Sequence, residues 1–258
     1  MGTLNGRTVL LTGASSGVGA VTARTLLAGG ASVVAHYFGD AAHDGAMAEL
    51  AASAAPDRLL AVKGDFSMSS AAGEVWDAAV RWKGHIDVVV LNAAITRFDG
   101  GLDDSAEVWA DSWSSQWQVN VMAPAWLMRS AVHHFRQCGG GVLITFSSWN
   151  AQRGSTSAAQ IAYAATKGAI TAAAKTIART GAKDGILSHI IAPGIVRTKM
   201  SEDFARLQGG EDRVTATLAM GEWVPPQELA DLVAFLAEGR CRHLSGATLD
   251  VNGATYVR

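Results

Sequence analysis

Apolar positions alternate between two rhythms along the chain. Short β-branched runs bounded by Gly or Asp are continuously apolar, and between them lie longer Ala-rich segments with apolar residues at helical spacing. The runs predict strands over 8–12, 32–36, 59–63, 87–91, 142–146, 187–192 and 248–251. The intervening segments predict helices over 18–28, 41–53, 70–82, 104–137, 158–181 and 226–237. A run such as Val88-Val89-Val90-Leu91 offers no polar face, as expected of a strand with helices packed on both sides. Repeated strand–helix–strand units with right-handed crossovers then imply an α/β fold, a doubly wound parallel sheet of about seven strands. In such a sheet ligands bind beyond the carboxyl ends of the strands. From 194 to 223 the periodicity fades around Gly209-Gly210, so a long loop or short mobile helices are expected there, a candidate substrate loop or lid.

Composition narrows the picture. With 258 residues, 49% hydrophobic and 17% charged, the chain has material for a sizeable core, and disorder is excluded for its bulk. No Pro/Ser-rich or like-charged linker interrupts it, so one domain over 1–258 is expected. Lys and Arg total 21 against 23 Asp and Glu, without a basic block, so no nucleic-acid partner is expected. No apolar stretch approaches the ~18–20 residues of a membrane span. The first residues lack a signal-type apolar region, and Gly6 breaks the myristoylation pattern, so the expectation is a cytoplasmic protein without a membrane partner. Cys138 and Cys241 are too few for a disulfide framework and read as structural thiols in a reducing compartment. His133, His134 and His243 have no partners at metal-ligand spacing, so no metal is expected.

Candidate chemistry gathers at strand ends. After the first strand come Thr12-Gly13-Ala14-Ser15-Ser16-Gly17-Val18-Gly19 and a helical pattern. Glycines there permit a tight turn and close approach to a pyrophosphate at a helix N-terminus, although tight packing alone would also explain them. Tyr163 and Lys167 share one helix face, where a cation favours phenolate, although a buried ring beside a solvated amine has the same spacing. Ser147-Ser148 follow the fifth strand, Asn92-Ala93-Ala94 the fourth and Asp65 the third. Singly these are caps or turn formers; together they converge on one crevice.

In order and spacing these residues resemble the short-chain dehydrogenase/reductase family over essentially the whole chain. The marks are Thr12-Gly13-xxx-Gly17-x-Gly19, Asp65, Asn92-Ala93-Ala94, Asn120, Ser148, Tyr163-xxx-Lys167 and Pro193-Gly194-Ile195-Val196-Arg197-Thr198. The tail from Gly246 to Gly253 is similar to that of the β-ketoacyl-acyl-carrier-protein reductases. Ala94 stands where the family usually has glycine. The resemblance implies a single-domain Rossmann-type NAD(P)-dependent oxidoreductase of a ketone or secondary alcohol. Its cofactor residues would be Gly13, Ser15, Ser16, Gly17, Val18, Gly19, Tyr37, Asp65, Phe66, Asn92, Ala93, Ala94, Tyr163, Lys167, Pro193, Gly194, Val196 and Thr198.

It further implies that Tyr163 is the general acid in reduction, and that Lys167 lowers its pKa and holds the nicotinamide ribose. Ser148 would bond the carbonyl oxygen, and Asn120 would support a water-linked proton relay. Trp149, next to Ser148, is expected to line the substrate site. Tyr37 stands where NAD-specific members carry an acid, and Ser16 where many NADP-specific ones carry Arg or Lys. Without a repelling carboxylate, and with His36 and the Tyr37 hydroxyl close by, NADP(H) is expected over NAD(H). The substrate is expected to be a small-molecule ketone or alcohol, bulky and apolar or cyclic, or else a β-ketoacyl thioester whose carrier protein would dock on Arg129 or Arg136. Segments 104–137 and 158–181 resemble the family's pairing helices. Ala162, Ala165, Ala169 and Ala173 allow close approach, and the stripe Trp109, Trp113, Trp117 suits a core or a subunit interface, so a homotetramer or homodimer is expected. The rival reading is a catalytically silent dinucleotide-binding protein acting as sensor or scaffold, against which the intact Ser148/Tyr163/Lys167/Asn120 set argues. A metal-dependent alcohol dehydrogenase lacks its Cys/His cluster.

Overall fold

Seven parallel strands form one sheet in the order β3-β2-β1-β4-β5-β6-β7. They are β1 Thr8–Thr12, β2 Ser32–Tyr37, β3 Leu59–Lys63, β4 Val88–Leu91, β5 Gly141–Phe146, β6 Ile186–Pro193 and β7 Thr248–Val251. The computed structural model describes residues 3–55 and 57–258. Each strand lies within a residue or so of its expected place. Asp87, expected at the start of β4, falls just outside it. Its carboxylate accepts the Thr8 N–H at 2.8 Å and pairs with Arg7, tying the amino ends of β1 and β4 together.

Alternation along the strands sorts the core into two layers. Val9 and Leu11 of β1 pack with Leu26 of α1 (Gly17–Ala28) and with Leu229 and Val233 of α10 (Pro226–Ala237). Leu10, Val89 and Leu143 face the opposite side, against α3 (Ala71–Lys83), α5 (Ala123–Cys138) and α7 (Ile161–Gly181). Residues such as Leu10, Leu11 and Ile144 are wholly buried, each contributing roughly 1.5–3 kcal/mol relative to exposure. The strand order reverses between β1 and β4, so a crevice opens beyond their carboxyl ends.

The expected helix over 104–137 is two helices, α4 (Ala106–Trp117) and α5, joined by a π-turn at Gln118–Met122. Segment 158–181 is a short 3₁₀ turn followed by α7. Between 194 and 223 two short helices form, α8 (Lys199–Leu207) and α9 (Glu211–Thr215), separated by Gly209 and Gly210 at φ +94° and +106°. They rest on a small apolar cluster of Trp149, Ala205, Val214, Leu218 and Trp223. The tryptophan stripe does not build the core, because α4 buries Ser112 and Gln116 while Trp117 stays exposed. No described helix is long and apolar enough to cross a membrane.

Candidate active site

Thr12 and Asn92 lash the first turn to the loop after β4. Thr12 Oγ1 accepts the N–H groups of Asn92 and Ala93 at 3.0 Å each. Asn92 Nδ2 donates to the carbonyls of Thr12 at 2.9 Å and Gly13 at 3.1 Å. Gly13 takes φ +71°, and a Cβ there would lie 3.0 Å from Ala93 Cα. At Gly19 a Cβ would lie 1.8 Å from the Gly13 carbonyl oxygen, so the turn and α1 meet backbone to backbone. Ser16, at the N-cap of α1, makes no side-chain cap bond, and the helix has no acid in its first turn. Free N–H groups and the positive helix end therefore face the cleft, and this cradle fits a dinucleotide pyrophosphate.

The end of β2 departs from expectation. Neighbouring strand residues face opposite sides, and it is His36 that turns to the cleft while Tyr37 turns away. The Tyr37 hydroxyl donates to Asp44 at 2.9 Å, and Lys63 holds the same carboxylate, so Tyr37 does not line the cofactor cleft. His36 is buried, stacked on Phe66 at 4.0 Å between ring centroids. Its Nδ1 accepts the Gly13 N–H at 3.3 Å and its Nε2 donates to the Gly64 carbonyl at 3.0 Å. Burial lowers its pKa to about 4, so it is neutral near pH 7 and offers no positive charge to a 2′-phosphate. Phe38 and His43 line this end of the cleft instead. Asp65 lines it too, accepting the Ser67 N–H at 2.9 Å.

β5 delivers Ser147 and Ser148 with different fates. Ser147 is turned inward onto Thr171 Oγ1 at 2.6 Å. Ser148 faces the cleft with Tyr163, and its Oγ accepts the Asn150 N–H at 3.1 Å. Burial pushes the Tyr163 pKa up to about 12, with the neighbouring Ser148 hydroxyl opposing. Lys167 Nζ sits 5.8 Å from the centre of the Tyr163 ring and donates to the Phe146 carbonyl at 2.9 Å. Burial brings its own pKa down to about 8. Desolvation thus outweighs the lowering of Tyr163 that the i,i+4 spacing suggests, because the ammonium rests on a backbone carbonyl.

Asn120 does not reach the cleft. It is buried in the π-turn, where its Oδ1 accepts the Ile95 N–H at 2.8 Å and its Nδ2 donates to Ile95 O at 2.9 Å and Thr166 Oγ1 at 3.2 Å. Its amide is committed to holding the loop after β4 against α7. On the far side Pro193, Gly194, Val196 and Thr198 line the cleft where β6 ends, and the Trp149 backbone N–H donates to Pro193 O at 3.0 Å. Ser15, Ser16, Gly17, Val18, Phe66, Ala93 and Ala94 also border it, as expected.

One cleft of about 1000 Å³ runs from the glycine turn to Trp149, Met200 and Val214. Sequence reading missed Arg153 and Arg213, which line its outer end. Arg153 carries a signal that was present, since it follows Trp149 by four positions and stacks on that ring at 3.8 Å. The structure also corrects the reading of His134, which has no isolated position. His85, His134 and Cys138 bring ligand atoms within 4.8 Å of one another at the opposite, amino-terminal end of β4. There His134 Nε2 accepts the Ile86 N–H at 3.1 Å and His85 Nε2 is bonded to Asp87 at 2.9 Å, so both Nε2 atoms are engaged.

A family model described as Enoyl-(Acyl carrier protein) reductase matches residues 13–254. An L-rhamnose 1-dehydrogenase (NAD(P)(+)) of Sphingomonas sp. (strain SKA58) is 31% identical, covering 98% of each chain. A solved short-chain dehydrogenase/reductase from Serratia marcescens BCRC 10948 superposes with TM-score 0.86 at 28% identity, over 99% of this chain and 100% of that one. A 3-oxoacyl (acyl-carrier-protein) reductase from Agrobacterium tumefaciens C58 with NADP bound gives TM-score 0.85 at 27% identity, over 97% and 94%.

Proposed function

The chain belongs to the short-chain dehydrogenase/reductase family, NAD(P)-dependent oxidoreductases of alcohols and ketones, and on that premise we propose that it reduces a free, largely apolar ketone with NADPH. The observation that carries this is the convergence of Ser148, Tyr163 and Lys167 on one cleft, walled further out by Trp149, Met200, Phe204 and Val214. When bound, NADPH supplies the hydride. Gly13 to Gly19 would cradle its phosphates, Asp65 and Phe66 its adenine, and Lys167 its nicotinamide ribose.

Ser148 holds the substrate carbonyl, and Tyr163, protonated at neutral pH, gives its proton to the carbonyl oxygen as negative charge develops there. Asn120 acts from behind as a positioning residue, fixing the loop after β4 and, through Thr166, the helix that carries Tyr163. The segment holding α8 and α9 closes over the substrate as a lid.

Carrier-protein docking finds little support at the arginines considered for it. Arg136 is bonded to Asp184 at 2.7 Å, Arg129 leans on the Trp126 ring, and neither lines the cleft. Preference for NADP(H) rests on the absence of a carboxylate among the side chains that end β2 at the cleft, where Phe38 and His43 stand. The test combines both points: kcat/KM for NADPH and NADH with a cyclic ketone, and with one β-ketoacyl group carried either on acyl carrier protein or on a small thiol. We expect NADPH and the free ketone to lead. A lead for NADH overturns the cofactor reading, and an advantage of about tenfold or more for the carrier-bound group overturns the substrate reading.

Assembly follows from the same surface logic. Trp117, Met122 and Trp126 are exposed on α4, the π-turn and α5, apolar area suited to pairing with a second copy. We expect a homotetramer; light scattering that returned a monomer mass at micromolar concentration would reject any such pairing. The exposed free thiols of Cys138 and Cys241 support a cytoplasmic location.

A further inference from the structure

The outer end of the cleft is charged with one sign. Beyond Ser148 and Tyr163 its described lining includes Arg153, Lys199 and Arg213 but no carboxylate, and among the described residues the only acid bordering the whole cleft is Asp65. Lys199 is already paired with Asp203. Arg153 and Arg213 have no hydrogen-bond or ion-pair partner among the described residues, whereas Arg97, Arg136 and Arg197 each hold a carboxylate. Arg153 is the better placed of the two. Its short helix α6 (Asn150–Arg153) starts directly after Trp149, and its guanidinium carbon sits over that buried ring, 3.8 Å from the centroid. The ring contact holds the guanidinium in place while its N–H groups have no partner among the described residues, so they are available to receive a carboxylate through two parallel bonds. Desolvation lowers the Arg153 pKa, so the charge already lacks part of its water. Arg213 approaches from α9, on the segment that covers the cleft.

We infer that the substrate is a keto acid in the broad sense: an apolar body with the reacting carbonyl at Ser148 and Tyr163 and a carboxylate at its far end, received by Arg153 with Arg213 as a second donor. The inference rests on the ketone-reduction reading and adds the anionic group to it.

The probes are 4-acetylbenzoate and its methyl ester, which differ in charge and little in shape. With NADPH, kcat/KM for the acid is expected to exceed that for the ester by about tenfold or more, the scale of a charge-assisted hydrogen-bond pair. Arg153→Gln should bring the acid-to-ester ratio close to one, mainly through KM, and Arg153→Lys should restore part of it, since it keeps the charge without the fork. Because the ester reports any packing damage at Trp149, the ratio isolates the charge. Arg129→Gln, outside the cleft, should leave the ratio as in the parent. Equal kcat/KM for the two probes in the parent enzyme overturns the inference while the reduction reading stands. If neither probe is turned over, quenching of tryptophan fluorescence in the NADPH complex decides. Quenching by the acid alone retains the anion site and overturns the reduction reading, and equal or absent quenching overturns the inference.

Discussion

Replacing Tyr163 with Phe lowers the rate of carbonyl reduction by at least about 100-fold, within the usual range for loss of a general acid. The ring keeps its packing on α7, so NADPH binding survives and the loss falls on kcat. The hydroxyl removed is the one that faces the cleft beside Ser148, and with its pKa pushed up to about 12 it is protonated throughout the neutral range. That state suits the donation of a proton in reduction. Oxidation of an alcohol needs the opposite state, so its rate should climb as pH rises. Lys167, with a pKa brought down to about 8, carries its charge below that pH and loses it above. In reduction, kcat/KM of the parent should therefore be level from pH 6 to about 8 and then fall. Single-turnover measurements on a substrate whose chemistry limits the rate settle the assignment: near-parental hydride transfer in the Phe variant would remove Tyr163 from its role.

Much of this site was legible because strand ends and catalytic spacing are written locally. β4 reads as a buried strand since Val88 to Leu91 offer no polar face, and Asn92 then stands where the crevice must open. Tyr163 and Lys167 declare a shared helix face by spacing alone. What stayed hidden depends on contacts between distant residues or on small shifts of phase. The π-turn around Asn120 adds a residue to one turn of a helix whose average periodicity hardly changes, so 104–137 reads as continuous. At the end of β2 a single step of alternation decides between Tyr37 and His36, and the stack of His36 on Phe66 is what settles it. The helices over 199–215 are too short for a period to emerge, and they hold their place through Trp149 and Trp223 rather than through any pattern of their own. His85 and His134 meet only because β4 lies beside α5.

Gly19→Ala is expected to have the second large effect, and here local propensity and packing predict opposite signs. Within a helix Ala is favoured over Gly by about 1 kcal/mol, so α1 considered alone would gain. The added methyl, however, would lie 1.8 Å from the Gly13 carbonyl oxygen and 2.7 Å from Asn92 Nδ2. Gly13 O is backbone, held by the Asn92 amide, and cannot swing aside as the end of a long side chain can. Either α1 slides away from the sheet or the turn opens, and both move the N–H groups that face the phosphates. Overpacking of this kind costs about 3 kcal/mol, which for a chain of this size lowers Tm by roughly 6–12 °C. The dissociation constant for NADPH should rise about tenfold or more as the cradle loses its shape. Gly45→Ala on α2 (Ala41–Ser53) is the matched control, since nothing lies within 4 Å of its added methyl. It should raise stability by about 0.5–1 kcal/mol and leave the cofactor untouched. If thermal melts and NADPH titrations found Gly19→Ala indistinguishable from Gly45→Ala, the backbone contact between Gly13 and Gly19 would not be what shapes the phosphate cradle.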